Sequence, residues 1–242
     1  MKKIEQPWEK RNLGVKSVEY CFDVKDTIKD IPQDLLSQND YDYVQCRVPA
    51  GKMDLVYKLQ EKAFRFAETS IDLSANLRQL QLPDIYLPFE KELEYVKVEE
   101  LESVYGQICK GIFDTDRIYL DPFFRREQSG IRYANWCRQE VETGSTQVYV
   151  VKREEETMGF FALKEKSKNV SDSLLAGLYD KNNTMGWGFS VLYYPMLQAQ
   201  REGKKRIETS VSSNNPDSLR MHLRLGYVIK NMKYVLIKHI VH

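Results

Sequence analysis

Cysteine is sparse in this chain and histidine sparser. Cys21, Cys46, Cys109 and Cys137 are scattered with no Cys-x-x-Cys pair, and the only histidines are His222, His239 and His242. This usage excludes a disulfide framework and a structural zinc site and leaves ordinary reduced thiols. Charge of one sign is lacking too, with 36 Lys plus Arg against 35 Asp plus Glu. That balance gives no electrostatic basis for binding nucleic acid or an anionic membrane. No stretch approaches the length of a membrane span, and the opening MKKIEQPWEKR has no apolar run of the signal-peptide kind. A cytoplasmic protein is expected. Internal repeats and low-complexity linkers are also missing.

The 242 residues present suffice for one large domain or two modest ones with a real core. Strand patterns at Val18–Phe22 and Tyr41–Val48, with an amphipathic helix over Asp54–Phe66, predict a small α/β unit at the start. Pro83 and Pro88 punctuate the chain, placing a boundary between a domain over 1–88 and a second over 89–242. Helices are predicted over Leu101–Ile112 and Ile131–Val141. Strands follow at Gln147–Val151, Met158–Lys164 and Leu174–Tyr179, then a helix from Trp187 carrying an internal Pro195, where a kink is expected. A strand at Arg206–Val211, a short helix from Pro216 and a strand over Tyr227–His239 complete the order. Successive strands without intervening helices rule out a simple doubly wound sheet. An α/β fold with a mixed, mostly antiparallel sheet flanked by helices fits.

Two stretches carry chemistry. In SLLAGLYDKNNTMGWG, Ser173 to Gly188, an apolar strand leads through a polar turn into Gly186-Trp187-Gly188 and a helix. The first amides of a helix lack intrahelical partners, the helix dipole adds positive potential, and glycines let an anion approach the backbone. In VSSNNPDSLRMHLRLGY, Asn215 before Pro216 is a helix start. At about 100° per residue, His222 falls in the middle of the apolar arc and points inward. It reads either as a hydrogen-bonded core histidine or as a proton donor at the floor of a cleft.

The pattern Asn183-x-x-Gly186-x-Gly188, followed by Asn215-x10-Gly226-Tyr227, resembles the GNAT superfamily of acetyl-CoA-dependent N-acetyltransferases. The resemblance implies a GNAT-like core in which Asn183, Thr184, Met185, Gly186, Trp187 and Gly188 cradle the CoA pyrophosphate. It further implies that Leu178 and Tyr179 hold the pantetheine through strand backbone, that Asn215 contacts the same arm, and that His222 occupies the place of a thiolate-protonating tyrosine. Asn183 stands where that family carries Gln or Arg, and Thr184 where glycine is common. Trp8-x4-Leu13-Gly14, Arg65-Phe66-Ala67 to Asp72-Leu73, and Asp116-Arg117 with Asp121-Pro122-Phe123-Phe124 look like a two-domain branch that includes dTDP-fucosamine acetyltransferase. The segment Asp116 to Trp136 is rich in aromatic and basic groups, and Arg117, Phe124, Tyr133 and Trp136 read either as an acceptor pocket, with rings packing on a sugar or base and arginines meeting a diphosphate, or as interdomain packing with solvated arginines.

The function so implied is direct acetyl transfer from acetyl-CoA to the amine of a small metabolite, a nucleotide-linked amino sugar being the favoured acceptor. Acetylation of a peptide or protein amine and a non-catalytic CoA-binding module are the alternatives. The expected partner is a small-molecule amine, with no nucleic acid, membrane or metal; a homodimer is left open. Trp8 is expected as a core or interface anchor, and Glu154–Glu156 as a hairpin turn.

Overall fold

The computed structural model describes residues 1–33, 35, 40–180 and 186–240. The chain forms two compact units: Met1–Ile71 with Ser212–Asn214 and Asn231–His242, and Asp72–Val211 with Asn215–Lys230. This division differs from the one expected at residue 88, because both terminal segments and the short return Ser212–Asn214 build the first unit.

In the first unit lie β1 (Lys2–Glu5), α1 (Trp8–Leu13), β2 (Ser17–Cys21), β3 (Tyr43–Pro49) and α2 (Met53–Gln60). Most of the last strand, β10 (Val228–His239), joins them, in the order β1-β2-β3-β10. β2 and β3 are parallel; β1 and β10 run antiparallel to their neighbours. Period-two alternation puts Val18, Tyr20, Val44, Cys46 and Val48 into the core against Leu55 and Leu59 of α2. Trp8 is 37% exposed, its indole N–H donating to Glu9, so it does not anchor this core.

The helix expected over Asp54–Phe66 ends at Gln60. Ala63 takes a φ of 63°, which a helix cannot accommodate, and a long strand follows: β4 (Arg65–Asn76), whose residues pass from the first unit into the second.

The second unit continues with α3 (Leu87–Glu90), β5 (Leu93–Lys97), α4 (Glu102–Cys109), α5 (Arg117–Leu120) and α6 (Arg126–Glu142). Then come β6 (Thr146–Arg153), β7 (Glu156–Ser167), β8 (Val170–Leu178), α7 (Ser190–Arg201), β9 (Arg206–Ser212) and α8 (Pro216–Arg224). Strand order is β9-β8-β7-β6-β5, antiparallel from β5 to β8 and parallel between β8 and β9. This is the mixed, mostly antiparallel sheet that the order of elements predicts. Glu154 and Glu155 form the β6–β7 turn, and α7 continues through a buried Pro195. Pro83 and Pro88 sit inside this unit, Pro88 in the first turn of α3.

One face of the sheet packs Val148, Val150, Phe160, Ala162 and Leu175 against Val104 and Ile108 of α4 and Ala134 and Cys137 of α6. The α4–α6 contact is close enough to need a glycine. A Cβ on Gly130 would lie 2.8 Å from the Cys109 carbonyl oxygen and 2.9 Å from that of Ile108. Both obstacles are backbone, so the helices would have to separate. Gly130→Ala is expected to cost about 1–3 kcal/mol, read as a fall of several degrees in a thermal melt. An unchanged melting temperature would show that the two helices yield freely.

Candidate active site

The site starts where two parallel strands part. The β8–β9 ladder holds from Val170 opposite Arg206 to Asp172 opposite Glu208, although β8 continues to Leu178. Past that point the Thr209 hydroxyl donates to the Ser173 carbonyl at 2.9 Å, a side-chain link in place of a ladder bond. On its other edge β8 stays paired with β7 out to Leu178 opposite Gly159. The Tyr179 N–H donates to the Met158 carbonyl at 2.9 Å, so Tyr179 faces β7. By the alternation of antiparallel pairs, Leu178 and Ala176 turn their N–H and C=O groups the opposite way, towards the side where the ladder to β9 has ended. An extended amide-bearing ligand could pair with that edge as a further strand does.

The two faces of this strand end differ. Leu178 points to the glycine turn: its Cδ1 lies 4.0 Å from where a Cβ on Gly188 would sit. Among the described residues nothing lies within 4 Å of the corresponding position on Gly186, whose φ of 92° suits glycine. Among the described residues the space a side chain would fill is open at Gly186 and bordered only by Leu178 at Gly188, as close approach of a phosphate requires. Trp187 lines the turn from behind, edge-on to Phe89 at 5.3 Å and with the Arg153 guanidinium 4.8 Å over its ring. The buried Phe189 stacks on Tyr86 at 4.6 Å, and the Tyr86 hydroxyl reaches the Met221 sulfur at 3.3 Å. These contacts hold the start of α7 against α8. Asn183, Thr184 and Met185 lie outside the described residues.

On the opposite face Gly177 meets Ile112 and Phe113, whose nearest atoms would be 3.0 Å and 3.4 Å from an added Cβ. Phe113 packs on Tyr133 at 4.7 Å, Tyr133 on Trp136 at 6.1 Å, and Phe160 stacks with Tyr179 at 6.1 Å. Tyr133 and Trp136 thus stand together on α6. Phe124 is buried and belongs to the core. Arg117 opens α5, which Asp116 caps by accepting from the N–H groups of Ile118 and Tyr119.

Asn215 caps α8 with its side-chain oxygen, which accepts from the Ser218 N–H at 3.1 Å. His222 is 4% exposed. Its Nδ1 lies 2.8 Å from the Ser218 carbonyl oxygen, so Nδ1 carries the proton, and the ring sits edge-on to Tyr227 at 4.9 Å. Burial pulls its pKa down to about 4. An acid working at neutral pH needs the opposite shift, so His222 stands here as a neutral hydrogen-bonding group. Burial also raises all four thiols, Cys21 to about 11, so none offers a thiolate nucleophile at neutral pH. Among the described residues no cluster of His, Cys, Asp and Glu could hold a metal, and no helix is long and apolar enough to cross a membrane.

No protein-family profile matches the chain, and no curated protein matches it in sequence. Solved structures do. A GCN5-related N-acetyltransferase from Kribbella flavida superposes with a TM-score of 0.58 at 15% identity, over 94% of this chain and 82% of its own. The chain has the GNAT fold. A GCN5-related N-acetyltransferase from Sphaerobacter thermophilus gives a TM-score of 0.57 at 14% identity over 81% of this chain, which spans 59% of that protein's length. A conserved protein of unknown function from Staphylococcus epidermidis gives 0.61 at 15% identity, over 93% and 85%.

Proposed function

We propose that the chain is an acetyl-CoA-dependent N-acetyltransferase that transfers acetyl directly to the amine of a small molecule. The observation that carries this reading is the parting of β8 from β9 beside the glycine turn that opens α7. Backbone groups of Ala176 and Leu178 would hold the pantetheine amides. Gly186, Gly188 and the first turn of α7 would receive the pyrophosphate. The Asn215 carboxamide nitrogen, left over from the cap, is the donor for the arm. Acetyl-CoA supplies a thioester, whose acyl group an amine can attack without a covalent enzyme intermediate, in keeping with the four suppressed thiols.

An N–H of the open β8 edge is suited to meet the negative charge that develops on the acyl oxygen. Protonation of the departing sulfur needs little help, since a thiol has a pKa of roughly 8.5. A neutral His222 is not its source. His222→Phe is accordingly expected to lower turnover by less than the ~10²–10⁴-fold that loss of a general acid costs. A larger fall at unchanged acetyl-CoA affinity would return the proton to His222.

The reading is tested by following release of free CoA thiol across a panel of primary amines, amino sugars included, with the acetylated product weighed by mass spectrometry. Turnover of a small amine is the expected result. Turnover confined to peptide amines would assign a protein substrate. Saturable acetyl-CoA binding without any acetylation would make the chain a CoA-binding module.

A further inference from the structure

The face of β8 opposite the glycine turn is built of rings. Its members come from three separate stretches: Phe113 after α4, Tyr133 and Trp136 on α6, and Tyr179 at the end of β8. Phe113 ties them together, 4.7 Å from Tyr133 and 6.3 Å from Phe160, which in turn stacks with Tyr179. Trp136, 36% exposed, keeps part of its ring surface in water. Gly177 is the hinge between this wall and the open edge. It lies between Ala176 and Leu178, and a Cβ on it would press on Ile112 at 3.0 Å and sit in ordinary contact with the Phe113 ring at 3.4 Å. Rings and open backbone are thus separated by no more than the width of one strand.

Two further observations bear on what the wall receives. The Tyr179 hydroxyl is buried with no hydrogen-bond partner among the described residues, an unmet polar group in an otherwise apolar surface. The charged groups close to the wall are already occupied: the Trp136 indole N–H donates to Glu140 at 3.3 Å, and Glu140 pairs with Lys164 at 2.5 Å. Arg138 lies 4.4 Å over the Tyr105 ring and pairs with Glu102 at 3.4 Å. A diphosphate would find Glu140 and committed cations here, whereas a flat ring would find offset and edge-on partners.

We propose that Phe113, Tyr133 and Trp136 form the specificity wall of the acceptor site and select a primary amine joined to an aromatic ring by a short alkyl spacer. This rests on the N-acetyltransferase reading above. The ring stacks on the wall beside Trp136, and the spacer carries the amine past the end of the wall towards the open edge of β8. Trp136, at the rim, sets ring affinity and takes no part in the chemistry.

The test compares kcat/KM for 2-phenylethylamine, n-butylamine and glucosamine in the native protein and in Trp136→Ala, with acetyl-CoA binding measured in both. Trp136 is half in water, so its truncation leaves the core intact; a melting curve checks this. Expected are a preference for 2-phenylethylamine over both other amines and, in Trp136→Ala, a roughly three- to tenfold rise in its KM with a smaller rise for butylamine. Preference for butylamine or glucosamine, or an equal loss on all three amines, would overturn the ring wall and leave the transferase reading standing. Failure of the native protein to bind acetyl-CoA would overturn both.

Discussion

Gly159→Ala is expected to lower the melting temperature by several degrees and to weaken acetyl-CoA binding at least about tenfold. Gly159 of β7 faces Leu178 across the antiparallel ladder. A Cβ there would collide with the Gly177 carbonyl oxygen and would lie 3.0 Å from the Leu178 Cα and 3.1 Å from a methyl of Val191 on α7. Two of these obstacles are the backbone of the strand end that would hold the pantetheine, and the third belongs to the helix that follows the glycine turn. No rotamer change relieves a backbone clash, so β8 must shift. Overpacking of this kind costs about 1–3 kcal/mol, and a strand shifted at its open edge loses alignment with a ligand that pairs to it. Gly130→Ala supplies the control, because its clash lies between α4 and α6. Comparable destabilisation by both, with affinity lost only in Gly159→Ala, is the result expected from melts and titrations. Equal affinities in the two variants would detach β8 from cofactor binding.

Acid should destabilise the native protein more than it destabilises His222→Phe. The folded imidazole has a pKa of about 4, pulled down first by burial and partly restored by the hydrogen bond to Ser218, against 6.5 for the free group. Between these values the unfolded chain binds a proton that the folded chain refuses. Stability therefore falls as pH drops through 6.5, and the His222 contribution to that fall is complete only below 4. Denaturant titrations at pH 7.5 and 4.5 are expected to show the native protein losing about 2–3 kcal/mol more than the variant. Carboxylates titrate in both proteins and cancel in the difference. Equal losses would mean that the ring is protonated, and so solvated, in the folded state.

The helical arc of the sequence around His222 places that ring inward, and the structure bears this out; the sign of its pKa shift was not legible there. Spacing gives a direction, while the shift depends on how completely Tyr227 and the rest of the core exclude water. The Gly186-x-Gly188 turn and the Asn215 cap were also readable, because positive φ and capping are local demands of named residue types. Less readable was β4. Its Thr69 and Ile71 favour a strand, but the amphipathic pattern from Leu55 to Leu59 carries visually across Ala63, where the backbone breaks. β1, α1 and β5 were missed for a related reason: each is short, and β5 is a strand only because β6 pairs with it. The ring wall was half visible. Tyr133 and Trp136 belong to it, but Phe113 and Tyr179 join through tertiary packing that no local pattern encodes, and Phe124 left it for the core.

On the function proposed here, the parted strands and the glycine turn together make the acetyl-CoA site. Calorimetric titration of acetyl-CoA into the native protein and into Gly186→Glu tests it most directly, with circular dichroism confirming that the variant is folded. Saturable binding to the native protein is expected, and its loss in the variant, where a carboxylate would occupy the space at the turn. No binding at millimolar acetyl-CoA, or equal binding by both proteins, would contradict it.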